Sequence, residues 1–398
     1  MNWMHFSTLR KLTLISILVL LVGCHSIGPR QISLDRGRYN DIVRETDEAQ
    51  FLKNIVRLRY VEPTYFLKVT GVTSSYTLNS SITADPNGSW MGGIDSGLRT
   101  SLKTWAMGVT PTLTYSDSPT ISYAPLDDAE FIGALLRPIS FRDVILLFHG
   151  GIHDSRLMFR LIFDQIGRFD NISFSTSSGY LKVSHSYDAQ FNQYLLFLEI
   201  MHQLIMKKEL SITPINYEKQ LGLLLHFYNE NSQGGAKLKK LLNLKSKSSD
   251  IALFNEGFAA NAANRNGEVS ISPRVERNIA FVNFRSVYGI LTFLSNAVQV
   301  PPADLKKCRS YITTYEDGTP FDWRKVMRGI MTIYSSRELP RDAFVRTQYN
   351  GYWFYISNSD IASKRTFTLA TRLLILTAGR DKTPTQTAPV LTLPVGAR

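Results

Sequence analysis

Between Tyr39 and Tyr60 apolar side chains recur at helical spacing, and a few residues later the spacing becomes two. Ile42, Phe51, Leu52, Ile55 and Val56 stand among charges, which predicts an amphipathic helix stopping before Pro63. Tyr65, Leu67 and Val69 then alternate with polar neighbours, as do Tyr76, Leu78 and Ile82, then Val109, Leu113 and Tyr115, then Ile121 and Tyr123. Alternation of this kind predicts half-buried strands, with Asp85-Pro86-Asn87-Gly88 and Gly92-Gly93 in the turn region between two of them. Their Ser/Thr-rich texture admits two readings. Either one face of a sheet packs on the domain core, or hairpins from several subunits assemble into a membrane barrel. Trp90, Trp105 and Tyr115 are core or edge residues in the first reading and an aromatic girdle in the second.

Helical spacing resumes after Asp127-Asp128, with Phe131, Ile132, Leu135 and Leu136 on one face before Pro138. Ser140 and Asp143 have capping-box spacing ahead of Val144 to Phe148, and Gly150-Gly151 breaks that run. A further helix carries Leu157, Leu161 and Ile162 towards Gly167. The longest helix is expected from about Asp188 to Lys208, buried through Phe191, Tyr194, Leu195, Leu198, Met201 and Ile205.

The second half is less regular. Leu221 to Phe227 is apolar and ambiguous between helix and strand, and Lys237 to Lys247 reads as a short basic helix. Phe281 to Val298 is apolar and helical towards its end, stopping at Pro301-Pro302. Val326 to Tyr334 is a candidate partner for the clearest hairpin, Phe344 to Tyr349 and Tyr352 to Ile356 around Asn350-Gly351, a dipeptide suited to a type I′ turn. Ser359 or Asp360 caps a last helix ending at Gly379, and a Thr/Pro-rich tail follows. Its apolar stretch Val390 to Val395 is suited to pairing with a sheet edge. Helices and hairpins without regular βαβ alternation predict an α+β fold, in one large or two closely packed domains. The expected divisions are 1–23, 24–38, 39–208, 209–380 and the extended tail 381–398.

The first 24 residues change the picture. Arg10 and Lys11 precede an apolar run from Leu14 to Val22, ending in Leu21-Val22-Gly23-Cys24. Spanning a bilayer takes roughly 20 apolar residues, so this shorter run reads as a cleaved signal. It resembles a bacterial lipoprotein signal, which implies cleavage between Gly23 and Cys24 and acylation of the Cys24 sulfur. Each buried methylene is worth about 0.8 kcal/mol, so two or three chains anchor a protein durably. His25, rather than Asp, follows the cysteine; by the same resemblance this favours the outer membrane, with the body facing the periplasm. Residues 24–38, with Gly28-Pro29, then form a tether.

The formal charge is +12, and loss of Arg10 and Lys11 lowers it to +10. Beyond an export signal that charge suits anionic lipid headgroups or cell-wall polymers and not nucleic acid. Lys237, Lys239, Lys240, Lys245 and Lys247 interleave with Leu238, Leu241, Leu242 and Leu244, a pattern that fits either an anionic membrane surface or a solvated face over a core contact. Acylation of Cys24 would leave Cys308 as the one thiol, among Lys306, Lys307 and Arg309; no sequence partner marks it as a nucleophile.

Catalytic signals are sparse. His149 and His153 are four apart, as zinc ligands on a helix can be, but Gly150-Gly151 between them breaks the helix, and the zinc-protease Glu after His149 is missing. His149-Gly150-Gly151 also has the look of an esterase oxyanion loop, yet G-x-S-x-G is nowhere in the chain. His185, His202 and His226 stand alone, and Asp127, Asp128 and Glu130 are better explained by helix capping than as a carboxylate pair. No cofactor-binding motif is present.

Val56 to Tyr60 (VRLRY), Pro119 to Ile139 (PTISYAPLDDAEFIGALLRPI), Val300-Pro301-Pro302, Tyr349 to Phe367 (YNGYWFYISNSDIASKRTF) and Ala388 to Gly396 (APVLTLPVG) resemble segments of a group of proteobacterial outer-membrane lipoproteins. The resemblance spans most of the mature chain and brings no catalytic residue with it. It implies an anchored protein with a structural or interaction role, an accessory of an envelope or secretion assembly. The alternatives are a cell-wall hydrolase or related envelope enzyme, and a ligand-binding lipoprotein.

Overall fold

The structure, a computed structural model, describes residues 27–85, 108–149, 154–176, 182–217, 220–229, 232–243, 250–255 and 279–378, with backbone only at 27–35, 74–85, 108–119 and 149. The fold is α+β. Two compact units are formed: 67–126 by itself, and the chain before and after it.

The larger unit contains a six-stranded sheet. Its strands are β3 (Phe163–Ile166), β4 (Phe169–Asp170), β6 (Leu210–Tyr217), β7 (Gln220–Phe227), β8 (Asp250–Asn255) and β9 (Ile279–Phe284), in the order β4–β3–β9–β8–β7–β6. Only β8 and β9 pair in parallel. The ambiguous run at Leu221 is therefore strand β7. Gly222 permits its close approach to β8: a Cβ there would lie 2.6 Å from the Leu253 carbonyl oxygen and 2.7 Å from the Phe254 ring.

This sheet takes strands from both sides of residue 208, so the expected division at 208/209 passes through a single hydrogen-bonded layer. The helix through Leu157 also differs from expectation. It spans Ser155–Ile162 (α4), and β3 replaces its expected last turn before Gly167. Phe163 stacks on Phe159 and meets Phe284 of β9 edge-on, so aromatic packing and the pairing of β3 with β9 favour strand there.

Helix α1 (Ile27–Arg59) is longer than the predicted helix and takes in most of the expected tether. Pro29 lies in its first turn, where its missing N–H is not needed. Only the C-terminal part of α1 is core: Phe51, Leu52, Ile55, Val56 and Leu58 are buried, whereas none of residues 36–50 is. Ile42, expected on the buried stripe, is exposed. The buried end packs on α7 (Val287–Ser295) and on β12 (Ala343–Tyr349).

Helix α7 is buried on nearly every side, as a helix apolar all round should be. Against it pack α2 (Ala129–Leu136), the 3-10 turn Ser173–Thr176 and the last helix, α10 (Ile361–Ala378). Strand β12 turns through Asn350 (φ 48°) and Gly351 (φ 80°) into β13 (Tyr352–Ser357), the left-handed pair a type I′ turn requires. β11 (Tyr334–Ser336) adds to β13, so from the stretch Val326–Tyr334 only Tyr334 joins that sheet; Trp323–Met327 forms helix α9. Asp360 caps α10 by accepting from the Ser363 backbone at 3.0 Å. Ser140 and Asp143 form their capping box at the start of α3 (Phe141–His149).

The smaller unit is a two-stranded antiparallel ribbon, β1 (Leu67–Asp85) with β2 (Gly108–Pro125). The separate short strands of the alternating region are thus stretches of two long ones.

Candidate functional site

The ribbon's register sorts its residues by polarity. Thr73, Ser75, Thr77, Asn79, Ser81 and Thr83 stand opposite Thr120, Ser118, Ser116, Thr114, Thr112 and Thr110. In the intervening pairs Val72 meets Ile121, Ser74 meets Pro119, Tyr76 meets Asp117, Leu78 meets Tyr115, Ser80 meets Leu113, Ile82 meets Pro111 and Ala84 meets Val109. Successive strand residues go to opposite faces, so one face is assigned hydroxyls and amides and the other mainly apolar positions. A bulge between Val69 and Gly71 restores this phase, putting the Leu67–Pro125 and Val69–Tyr123 pairs in line with Val72–Ile121. Thr70, the extra residue, donates its hydroxyl to the Ser122 carbonyl at 3.2 Å. At the described base of the ribbon the apolar positions are uncovered: Leu67, Ile121 and Tyr123 are 37%, 41% and 60% exposed.

In the larger unit the polar groups are tied to one another. Tyr60 donates to buried Asp304 at 2.8 Å, and Arg309 reaches the other carboxylate oxygen at 3.1 Å. Burial, and then the Asp304 hydrogen bond, push the Tyr60 phenol well above its usual value. Arg59 donates to Asn296 at 3.0 Å and lies over the Tyr311 ring at 4.5 Å. This network holds the end of α1 to the region around α8 (Pro302–Lys306).

Arg285, the residue after β9, is buried. It donates to the carbonyls of Arg160 and Leu161 at 2.8 and 3.2 Å and to that of Asn171, and lies over Phe293 at 4.3 Å. Its Nε stands 3.3 Å from Asp164 Oδ1, close enough for charge attraction but outside hydrogen-bonding geometry. Burial raises the Asp164 carboxyl, with Arg285 opposing. Arg160 donates to the carbonyls of Arg328 and Val326, and burial pushes its pKa down to about 10. Both guanidiniums give their terminal N–H groups to backbone carbonyls and act as struts, while the Nε of each is buried without a hydrogen-bond partner. Sequence reasoning missed them, because nothing local distinguishes a buried arginine from a surface one.

The densest exposed chemistry lies at the start of α5 (Ser186–Met206), beside the short parallel pair β5 (Lys182–Val183) and β10 (Thr314–Tyr315). His185 stacks on Tyr315 at 4.0 Å, its Nε2 is 3.1 Å from Asp317, and Tyr315 donates to Asp188 at 2.7 Å. Hydrogen bonds from Thr319, followed by the one from His185, pull Asp317 down to about 2. An imidazole and carboxylate in this arrangement can exchange a proton, but they sit on open surface. A groove of about 340 Å³ lies elsewhere, lined by Tyr334, Arg341, Asp342, Tyr355 and Asp360.

Cys24, Gly23, His153, Lys245, Lys247, Trp90, Trp105 and the 380–398 tail lie outside the described residues, as do the side chains of His149 and Tyr115. Among the described residues no group of three His, Cys, Asp or Glu side chains could hold a metal, and no helix is long and apolar enough to cross a membrane. Lys237, Lys239 and Lys240 lie on α6 (Gln233–Leu241), with Lys239 over the Phe227 ring at 5.5 Å. Leu238 and Leu242 turn inward and are buried, so those leucines are unavailable to a bilayer. His226 bonds Asp250 at 2.6 Å, Asp128 caps α2 at the Phe131 N–H, and Cys308 is exposed just beyond α8 with φ 52°.

No family model, curated protein or solved structure matches the chain.

Proposed function

We propose that this chain is a lipid-anchored structural or interaction protein at the periplasmic face of a bacterial outer membrane, working as an accessory of an envelope assembly. The observation that carries the reading is the β1–β2 ribbon. It is a separate unit of two strands with uncovered apolar positions at its base, whereas the polar clusters of the larger unit bond among themselves. A lone two-stranded hairpin is marginal in water, so a partner surface is expected to complete it. The course of α1 supports the anchor: none of its residues 36–50 is buried, and its core contacts begin only at Phe51.

Mass spectrometry of the mature amino terminus tests the anchor. Expected is an acylated Cys24 and, for Cys24→Ser, release of the protein from the membrane fraction. An unmodified terminus starting at Met1 overturns the reading. Affinity purification with and without residues 67–126 tests the interaction role, and the expected outcome is loss of specific partners with the ribbon.

A further inference from the structure

We propose that ribbons from several copies of this chain join edge to edge into a closed β-barrel that crosses the lipid bilayer, polar face inward. This rests on the membrane-anchored reading above and names the partner as a second copy of the chain. Among the described residues no third strand joins β1 or β2, so each ribbon offers two edges for pairing. If β2 of one copy pairs antiparallel with β1 of the next, the two-residue phase can be kept across the seam. The contact is head-to-tail, and such contacts close into a ring when the rotation from copy to copy completes a circle. Closure removes every edge, the condition for placing strands in hydrocarbon.

The dimensions agree. Apolar-phase positions run from Val72 to Ala84; at about 3.3 Å per residue and a tilt near 40° they rise about 30 Å, the thickness of a hydrocarbon core. The opposite phase carries only Thr, Ser and Asn from Thr73 to Thr83 and from Thr110 to Thr120, the composition of a water-filled lumen. In the apolar phase Asp117, opposite Tyr76, is the one charged residue between Val72 and Ala84 or their partners. Pro111 and Pro119, opposite Ile82 and Ser74, each withhold a ladder donor, a cost the barrel bears because closure leaves no edge strand to hold them. Barrels of this kind begin at about eight strands, hence at least about four copies.

The test uses the full mature chain with Cys308→Ser, reconstituted in phosphatidylethanolamine–phosphatidylglycerol vesicles. Single cysteines at positions 77 to 82 carry an environment-sensitive thiol probe. Expected is a lipid-like signal at 78, 80 and 82, an aqueous one at 77, 79 and 81, and particles of at least four copies in nanodiscs. Entrapped dye should leak; Leu78→Asp and Ile82→Asp should reduce leakage at least tenfold, while Ser81→Asp, in the opposite phase, leaves it within about twofold. Uniformly aqueous probes, a monomer or dimer, or equal effects of Ile82→Asp and Ser81→Asp each overturn the barrel. Labelling of Cys24 in the parent Cys308→Ser chain reports failure of the anchor separately, because an acylated sulfur cannot react.

Discussion

The Tyr60 hydroxyl donates to the Asp304 carboxylate at 2.8 Å across 244 residues of chain. Both residues are buried, and the bond fastens the end of the long N-terminal helix to α8. Tyr60→Phe keeps the ring, which meets Tyr349 edge-on at 5.0 Å, and removes only the donor. Hydrogen bonds to charged groups contribute about 1.5–3 kcal/mol. Chemical denaturation should show a loss in that range, and a loss below about 0.5 kcal/mol would mean the hydroxyl contributes nothing to the docking of α1.

Arg285→Ala should be the most damaging single change near the sheet. It leaves Asp164 without its countercharge and takes a donor from each of three carbonyls, of which that of Arg160 keeps the Asn171 side-chain amide. Removing one member of a buried pair costs about 3–5 kcal/mol. Arg285→Lys should recover only part of this, since an ammonium cannot reproduce the fork of donors. Equal stability of the Lys variant and the native chain, read from urea midpoints, would contradict the strut role.

Asp317 predicts a definite pH behaviour. Its folded value of about 2 lies below the 3.8 usual for an aspartate. A carboxyl lowered by folding contributes stability above its unfolded value and loses it as pH falls through the folded one. The local contribution should therefore be intact above about pH 4 and fade towards pH 2. An NMR titration should place the Asp317 midpoint near 2, and Thr319→Val should raise it, since Thr319 supplies the largest lowering influence. A midpoint near 3.8 in the native chain would exclude the Thr319 contact.

Two glycines should resist replacement for different reasons. Gly351→Ala puts a Cβ at φ 80° and should cost about 1–2 kcal/mol. Gly222→Ala meets the Leu253 backbone and the Phe254 ring, an overpacking cost of about 1–3 kcal/mol. Thermal melts separate the two: deleting the Phe254 ring along with Gly222→Ala should relieve part of the clash, whereas no side-chain change relieves a strained φ.

Local chemistry was legible. Asn350-Gly351, the Ser140–Asp143 box and the Asp360 cap each act within four residues, so composition and spacing are sufficient to find them. The apolar stripe of α5 was found through Phe191, Tyr194, Leu198 and Met201, which are buried; Leu195 and Ile205, expected with them, are half-buried, and Phe197 and Leu204 are buried instead. Ile42 misled because helical period does not say how far along a helix the rest of the protein extends. Phe163 to Ile166 misled because four residues carry too little pattern to oppose the helix before them.

By itself the sequence determined the α+β class, the alternation of the strand region and the positions of caps and turns, because these depend on side chains a few residues apart. Tertiary structure alone decided that β3 and β9 share a sheet, that Arg285 lies buried beside Asp164, and that the ribbon stands as its own unit. Those outcomes depend on which distant surfaces exclude water together. A chain encodes that only through the sum of all its contacts, and no local pattern reports it.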